Sequence, residues 1–309
     1  MPKAQISNHK VLVTGASGFI GSHLCRRLNE MGAEVHGISQ KKQPSNPNGL
    51  QWWQGDLSDF ETVQKLLNTI RPDFIFHLAS HVVGARDLNQ VLPTFRYNFL
   101  SSLNLLLGAH EIECKRILLT GSLEEPDLGD PECIPSSPYA AAKWAGNGYA
   151  RMFHALYQLP VVILRVFMVY GPAQQDLSKL IPFVTLSLLR KEAPTLSSGT
   201  REVDWIYVED VVEAFIAAAQ GPGLEGKTLE VGSGKLISVR AIIERLNQLI
   251  DPEIKPLFGS VPERPLEQVR VADIKTTQKL TGWKPETSLE KGLKQTVAWY
   301  QRQLEEGKL

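Results

Sequence analysis

The chain has 309 residues, and 33 Lys and Arg stand against 33 Asp and Glu, so its formal net charge is zero. With 43% apolar and 21% charged residues it carries enough apolar surface to offset ordering entropy, which excludes a collagen-like, low-complexity or largely disordered chain. The balanced charge gives no electrostatic reason to expect nucleic acid or an anionic membrane as a partner, and the length suits one large α/β domain or two associated ones.

Val11-Leu12-Val13 reads as a short buried strand closed by glycines, and Ile20 to Met31 follows with helical apolar spacing. Glu34 to Ile38 and Leu50 to Trp53 read as the next strands. Glu61 to Thr69 is a helix ended by Arg71-Pro72-Asp73, and Phe74 to Ala79 is a further strand. A long helix is expected over Pro93 to Glu113, a strand over Arg116 to Thr120, a helix over Tyr139 to Tyr157 and a strand over Val161 to Val166. This alternation predicts βαβ units and a parallel sheet with right-handed crossovers. After Gly171-Pro172 the rhythm loosens. Helices are expected over Ser178 to Lys191 and Val211 to Gln220, a strand over Thr228 to Val231, and a helix opening at Ser238. Pro252 to Pro265 is loop-rich, and Thr287-x-x-Glu290 reads as a capping box before a last helix.

Cys25, Cys114 and Cys133 are an odd number at wide spacing, so they build neither a disulfide framework nor a zinc knuckle and suit a reducing compartment. The polar N-terminus lacks a secretory pattern, and no stretch approaches the roughly 20 apolar residues of a membrane span. A cytoplasmic location is expected. His77, His81, His110 and His154 lack ligand spacing, so no metal is expected.

Thr14-Gly15-Ala16-Ser17-Gly18-Phe19-Ile20-Gly21 lies between the first strand and the first helix. Glycines there permit a tight turn, close approach of backbone to a pyrophosphate, and helix–strand packing over a helix N-terminus that attracts phosphate. The second strand ends Ser39-Gln40-Lys41-Lys42, without the carboxylate that would hold an adenosine ribose. Ser39 and the lysines suit a 2′-phosphate instead, so NADP(H) is preferred over NAD(H). Asp56-Leu57 is placed to contact adenine.

In Ser137-Pro138-Tyr139-Ala140-Ala141-Ala142-Lys143, serine and proline suit a helix start, and Tyr139 and Lys143 share one face. A phenol with a pKa of about 10 is a poor base near neutrality, and an adjacent ammonium together with an oxidised nicotinamide would lower it. Ser122, at the end of Leu118-Leu119-Thr120-Gly121-Ser122, completes the arrangement by hydrogen-bonding the hydroxyl to be oxidised.

His77-Leu78-Ala79, Asn98, Val169-Tyr170-Gly171-Pro172, Trp205-Ile206-Tyr207-Val208-Glu209-Asp210, Arg264-Pro265, Ala272-Asp273 and Gly282-Trp283-Lys284-Pro285 accompany these motifs in order. From about Val11 to Tyr300 the chain resembles the extended short-chain dehydrogenase/reductase family, in its nucleotide-sugar epimerase/dehydratase branch. The resemblance implies a Rossmann doubly wound parallel sheet over residues 1–170, completed by about 203–220. A smaller mixed α/β lobe over 171–309 would take the sugar nucleotide. NAD(P) contacts would come from Gly15, Ser17, Gly18, Phe19, Ile20, Gly21, Ser39, Lys41, Asp56, Leu57, Leu78, Ala79, Ser80, Asn98, Tyr139 and Lys143. Substrate contacts would come from His81, Ser122, Glu124, Met168, Arg201 and Arg264. A homodimer built on the 93–113 and 139–157 helices is also implied.

Three departures qualify the reaction. The dehydratases carry an acid and then Glu after the serine, whereas this chain has Leu123 and Glu124. Glu124 matches the base that removes a C5 proton, and Leu123 lacks the proton donor. The competing reading makes Glu124 and Glu125 a solvated loop edge. Met168 replaces a frequent Asn near the substrate diphosphate, and Val203 replaces a frequent Arg, leaving Arg201 and Arg264 as anchors. The leading expectation is an NAD(P)-dependent epimerase or dehydratase acting through a 4-keto sugar, with Ser122, Tyr139, Lys143 and Glu124 as the catalytic set. An NADPH-consuming 4-keto-6-deoxy-sugar reductase is the first alternative, and a non-catalytic dinucleotide sensor or scaffold the second.

Overall fold

The computed structural model describes residues 6–44, 49–126, 133–264 and 266–309. It opens with β1 (Lys10–Thr14), α1 (Phe19–Glu30), β2 (Glu34–Ser39), β3 (Gln51–Gln54), α2 (Phe60–Ile70) and β4 (Phe74–His77). Asp59 caps α2 by accepting from the Thr62 N–H, and Arg71 ends it in the left-handed region just before Pro72.

The long helix expected over 93–113 is continuous from Val91 to His110, but it is not α-helical throughout. A 3-10 turn (Leu88–Gln90) and α3 (Val91–Thr94) lead through a π-helical stretch (Phe95–Leu100) into α4 (Ser101–His110). The Ser101 and Ser102 hydroxyls donate to the Tyr97 and Asn98 carbonyls, both at 2.6 Å, competing with the helical ladder. Such wide turns are frequent at functional sites. Here the turn carries Asn98 inward, where its Oδ1 accepts from the His81 N–H at 2.6 Å and the Ser80 hydroxyl at 3.2 Å.

Next come β5 (Arg116–Ser122), α5 (Pro138–Tyr157), β6 (Val161–Val166), β7 (Met168–Tyr170), α6 (Leu180–Leu189), β8 (Glu202–Tyr207), α7 (Val208–Gln220) and β9 (Thr228–Val231). The chain closes with β10 (Leu236–Ser238), α8 (Val239–Ile250), α9 (Ile274–Thr281) and α10 (Leu289–Glu305). Ser288 caps α10 by accepting from the Lys291 N–H. The helix is therefore capped one residue later than the expected Thr287-x-x-Glu290 box and by the serine alone, and the Thr287 N–H that the box would have tied to Glu290 is donated to the Asp210 carboxylate at 3.0 Å.

One sheet runs β3-β2-β1-β4-β5-β6-β9, with every pairing from β3 to β6 parallel. This is the Rossmann doubly wound order, and it reverses direction between β1 and β4, where Thr14 pairs with His77. β1, β4 and β6 are almost wholly buried, as near-continuous apolar runs require. A smaller sheet, β10-β8-β7, was not legible in such short segments.

The chain forms two compact units: Met1–Val166 with Val212–Glu230 and Lys275–Trp283, and Phe167–Val211 with Val231–Ile274 and Lys284–Leu309. In the first, the buried Arg116 donates to the Ala218 and Ala219 carbonyls at 2.8 and 3.2 Å, satisfying the C-terminal end of α7. In the second, buried Asp204 accepts from the Ser233, Gly234 and Ala272 N–H groups at 2.6 to 3.0 Å, gathering two chain segments around β8.

Candidate active site

The first half of the site is the glycine turn that follows β1. Gly15 has φ +69°, and a Cβ there would lie 2.7 Å from the Ala79 nitrogen on the strand-β4 side of the crevice. A Cβ on Gly21 would lie 2.1 Å from the Gly15 carbonyl oxygen. Gly18 stands at the N-cap of α1 without contributing a capping side chain. Thr14 Oγ1 accepts from the Ala79 N–H at 3.1 Å, holding Leu78 and Ala79 beside the glycine turn. A helix N-terminus with this glycine spacing fits a dinucleotide's pyrophosphate, which Gly15, Gly18, Phe19, Ile20 and Gly21 would hold.

At the end of β2 the Ser39 hydroxyl accepts from the Lys41 N–H at 3.2 Å and the Gln43 amide at 3.1 Å, while the Lys41 side chain is exposed. Asp56 accepts from Ser58 and pairs with Arg96 at 3.2 Å, and Leu57 is buried in the core.

The second half lies at the end of β5 and the start of α5. Ser137 caps α5, accepting from the Ala140 N–H at 3.2 Å, and this start turns Tyr139, Lys143 and Asn147 onto one face. Tyr139 is hydrogen-bonded by Ser122 and Ser80. Lys143, 5% exposed, donates to the Thr120 carbonyl at 3.0 Å. Ser122 is thus brought to Tyr139, with Lys143 one turn along α5, and Ser80, expected on the cofactor side, joins them at the phenol.

The electrostatics differ from expectation. Burial pushes the Tyr139 phenol up to about 12, against the hydrogen bonds of Ser122 and Ser80, and the Glu125 and Glu124 carboxylates push the same way. Burial also lowers Lys143 to about 8, with Glu125 opposing it. The chain's own groups therefore leave Tyr139 above the ordinary phenol value, with desolvation the largest cause.

The reading of Glu124 and Glu125 as a solvated edge is corrected. Glu124 is half-buried and its Oε2 accepts from the Ser136 hydroxyl at 2.9 Å. Glu125 is 1% exposed, and its Oε1 accepts from the Ser122 N–H at 2.6 Å and the Asn147 amide at 2.7 Å. Sequence reasoning missed Glu125 and Asn147, although Asn147 continues the Tyr139–Lys143 spacing by one more turn. His77 is fully enclosed between Thr14 Oγ1 at 2.8 Å and Ser102 Oγ at 2.9 Å, and burial drives it down to about 3. It is a neutral strut.

The remaining expected residues occupy other places. His81 Nε2 lies 3.0 Å from Gln90 Oε1. In the second unit, Met168 pairs with Trp205 across β7 and β8, Arg201 is paired with Glu267 at 3.0 Å, and Arg264 is exposed. Pro265, its partner in the sequence motif, lies outside the described residues. Among the described residues no group of three or more His, Cys, Asp and Glu is arranged for a metal, and no helix is long and apolar enough to cross a membrane.

Sheet order, glycine turn and the Ser122–Tyr139–Lys143 cluster define an extended short-chain dehydrogenase/reductase. The chain belongs to the NAD dependent epimerase/dehydratase family, whose model matches residues 11–232. It is 28% identical to UDP-glucuronate 4-epimerase of Thermodesulfobacterium geofontis, over 95% of this chain and 97% of that protein. It is 29% identical to dTDP-glucose 4,6-dehydratase of Haemophilus influenzae, over 94% of this chain and 97% of that one. Its fold is similar to the crystal structure of Thermotoga maritima UDP-glucose 4-epimerase with UDP-glucose, at a TM-score of 0.86 and 26% identity, covering 96% and 99% of the two chains.

The buried ammonium yields a test that needs no ligand. The folded chain releases the Lys143 proton near pH 8, whereas the ordinary value is 10.5. Between those values the unfolded chain binds the extra proton, so the contribution of Lys143 to stability rises with pH and is at its worst below pH 8. Lys143→Met should be more stable than the parent at pH 7, by up to about 3 kcal/mol, and should lack the rise between pH 8 and 10. Denaturant unfolding across that range measures it, and identical pH profiles for the two proteins would refute the burial cost.

Proposed function

We propose that this protein is a nucleotide-sugar 4-epimerase that oxidises a sugar's C4 hydroxyl to a 4-keto species and reduces it again from the opposite face. The observation that carries this reading is a complete Ser122–Tyr139–Lys143 cluster next to Leu123, which is 5% exposed. The dehydratase branch needs a proton donor at that position for the leaving hydroxyl, and an aliphatic side chain cannot be one. Relatives named for UDP- and dTDP-hexoses make these the first substrates to try.

When bound, an oxidised nicotinamide supplies the hydride acceptor at C4 and a positive charge beside the phenol. Tyr139 takes the proton of the C4 hydroxyl while Ser122 hydrogen-bonds the same oxygen. Bringing the phenol from about 12 towards neutrality requires about 7 kcal/mol of preferential phenolate stabilisation. Lys143 contributes to it as an opposite charge one helical turn away. His81, Met168, Arg201 and Arg264 are proposed for the sugar nucleotide, and Asn98 acts on the cofactor side by holding Ser80 and His81. Glu124 has no proton to move in this reaction.

A net 4-keto-6-deoxy-sugar reductase is the second reading. It is favoured by the paired Glu124-Glu125 after Ser122 and by Lys41 and Lys42, which suit NADPH. The two separate in one assay: the epimerase converts a UDP- or dTDP-hexose to its 4-epimer without net change in nicotinamide absorbance, and the reductase consumes NADPH.

We also propose NADP(H) over NAD(H), on the exposed Lys41 and the absence of a carboxylate at the end of β2, within a family described as NAD dependent. A homodimer is proposed through α3, the π-helical stretch and α5, which pack together and leave Leu92 76%, Phe95 50% and Leu156 66% exposed.

Tyr139→Phe should cut turnover by about 10²- to 10⁴-fold with dinucleotide affinity within about threefold, measured by product chromatography and fluorescence titration. A mutant as active as the parent overturns the assignment. In the same titration NADP(H) should bind more tightly than NAD(H), and Lys41→Ala should narrow the gap by about tenfold, or about 1.4 kcal/mol. A tenfold advantage for NAD(H) in the parent would reverse the cofactor proposal. Light scattering should give two chains for the parent and one for the Leu92→Asp, Leu156→Asp double variant.

A further inference from the structure

Glu125 is a carboxylate that the proposed reaction does not use. It is 1% exposed and lies directly behind the reacting residues. Its Oε1 accepts two hydrogen bonds, from the Ser122 N–H at 2.6 Å and from the Asn147 amide at 2.7 Å. The first partner belongs to the last residue of β5. The second stands on α5, one turn beyond Lys143 and two beyond Tyr139. A single oxygen atom therefore joins the strand that carries the serine to the helix that carries the tyrosine and lysine.

The surrounding chain is built for this joint. A Cβ on Gly121 would lie 2.7 Å from Glu125 Oε1 and 2.9 Å from Asn147 Nδ2, so any larger residue there would push the pair apart. The other carboxylate oxygen faces Arg165 Nη2 on β6 at 3.9 Å, and Arg165 Nη1 reaches Glu230 on β9 at 3.0 Å. Glu230, Arg165 and Glu125 thus alternate in sign across the end of the sheet. The charge of Glu125 acts on Lys143 and on Tyr139, favouring the protonated form of each.

We propose that Glu125 is a positioning residue: its Oε1 clamps Ser122, at the end of β5, to the face of α5 that bears Tyr139 and Lys143. The clamp also sets a negative charge near Lys143. A lysine buried this deeply loses part of its charge near neutrality, and an uncharged amine would offer the phenolate no attraction. Among the described residues, the groups facing the pair are Ser80 after β4, His77 on β4, Asn98 and Ser102 from the π-helical stretch and α4, Thr120 and Ser122 on β5, Glu124 and Glu125 in the turn that follows, and Asn147 on α5. Among these the two glutamates are the charged ones, and Glu124 is already held by Ser136. His77 is neutral. Glu125 is the carboxylate that acts on Lys143.

The inference rests on the Ser122–Tyr139–Lys143 reading, and one of its two measurements needs no substrate. The full-length chain labelled with ¹³C at the lysine Cε is titrated by NMR, and Lys143→Arg assigns the resonance. Glu125→Gln keeps an oxygen for the two hydrogen bonds and removes the charge. The Lys143 midpoint should fall from near 8 by about one pH unit. An unmoved midpoint in a folded Glu125→Gln protein overturns the placement of Glu125 against α5. Asn147→Ala keeps the carboxylate and cuts the clamp: kcat should fall about tenfold with KM within about twofold and the Lys143 midpoint unchanged. Parental kcat in Asn147→Ala overturns the positioning role. Should Tyr139→Phe match the parent in turnover, the functional reading fails, and the Lys143 midpoint still decides whether Glu125 stands against α5.

Discussion

The site depends on one buried contact: the Lys143 ammonium donating to the Thr120 carbonyl at the end of β5. A charge removed from water must be hydrogen-bonded and electrostatically supported, or it neutralises. Everything nearby meets that demand. Ser137 sets the start of α5, so that residues four apart point at the strand end. Glu125 supplies the opposite charge, and Arg165 and Glu230 carry the alternation onward to the edge of the sheet. A helix and a strand that could otherwise slide past each other are held in one register.

A second, neutral network does the same for the cofactor side. His77, lowered to about 3 by burial, cannot carry charge at physiological pH and serves as a rigid connector between Thr14 and Ser102. Through Thr14 it sets Ala79 against the glycine turn. Through the carbonyl of its own residue it receives the Thr120 hydroxyl at 2.9 Å. The glycine turn and the catalytic face of α5 are thereby anchored to the same pair of central strands, β4 and β5. The π-helical stretch adds Asn98, which fixes Ser80, and Ser80 in turn bonds Tyr139.

Much of this was legible in order along the chain. Gly15, Gly18 and Gly21 between a strand and a helix, and Tyr139 and Lys143 after a Ser-Pro helix start, report backbone requirements that only certain residues meet, so local sequence is enough. What was misread depended on distant partners. The 93–113 helix reads as one winding because its apolar spacing is regular, and that spacing gives no sign of the π-helical turns over Phe95–Leu100. Thr287 looked like a cap, and its N–H is instead held by Asp210, far back in the chain. Glu125 looked solvated because adjacent carboxylates in a loop usually are, and its partners Asn147 and Arg165 lie 22 and 40 residues away.

By itself the sequence determined the alternating α/β order, the glycine turn between β1 and α1, and the helix start that sets Tyr139 and Lys143 on one face, since each follows from short-range periodicity or from a residue's intrinsic conformational freedom. The tertiary structure alone decided which glutamate is buried, that the phenol is unacidified in the protein's own field, and that residues 212–230 and 275–283 return to the first unit. Those outcomes are set by desolvation and by pairing between elements far apart in the chain. Neither has any expression in spacing along it.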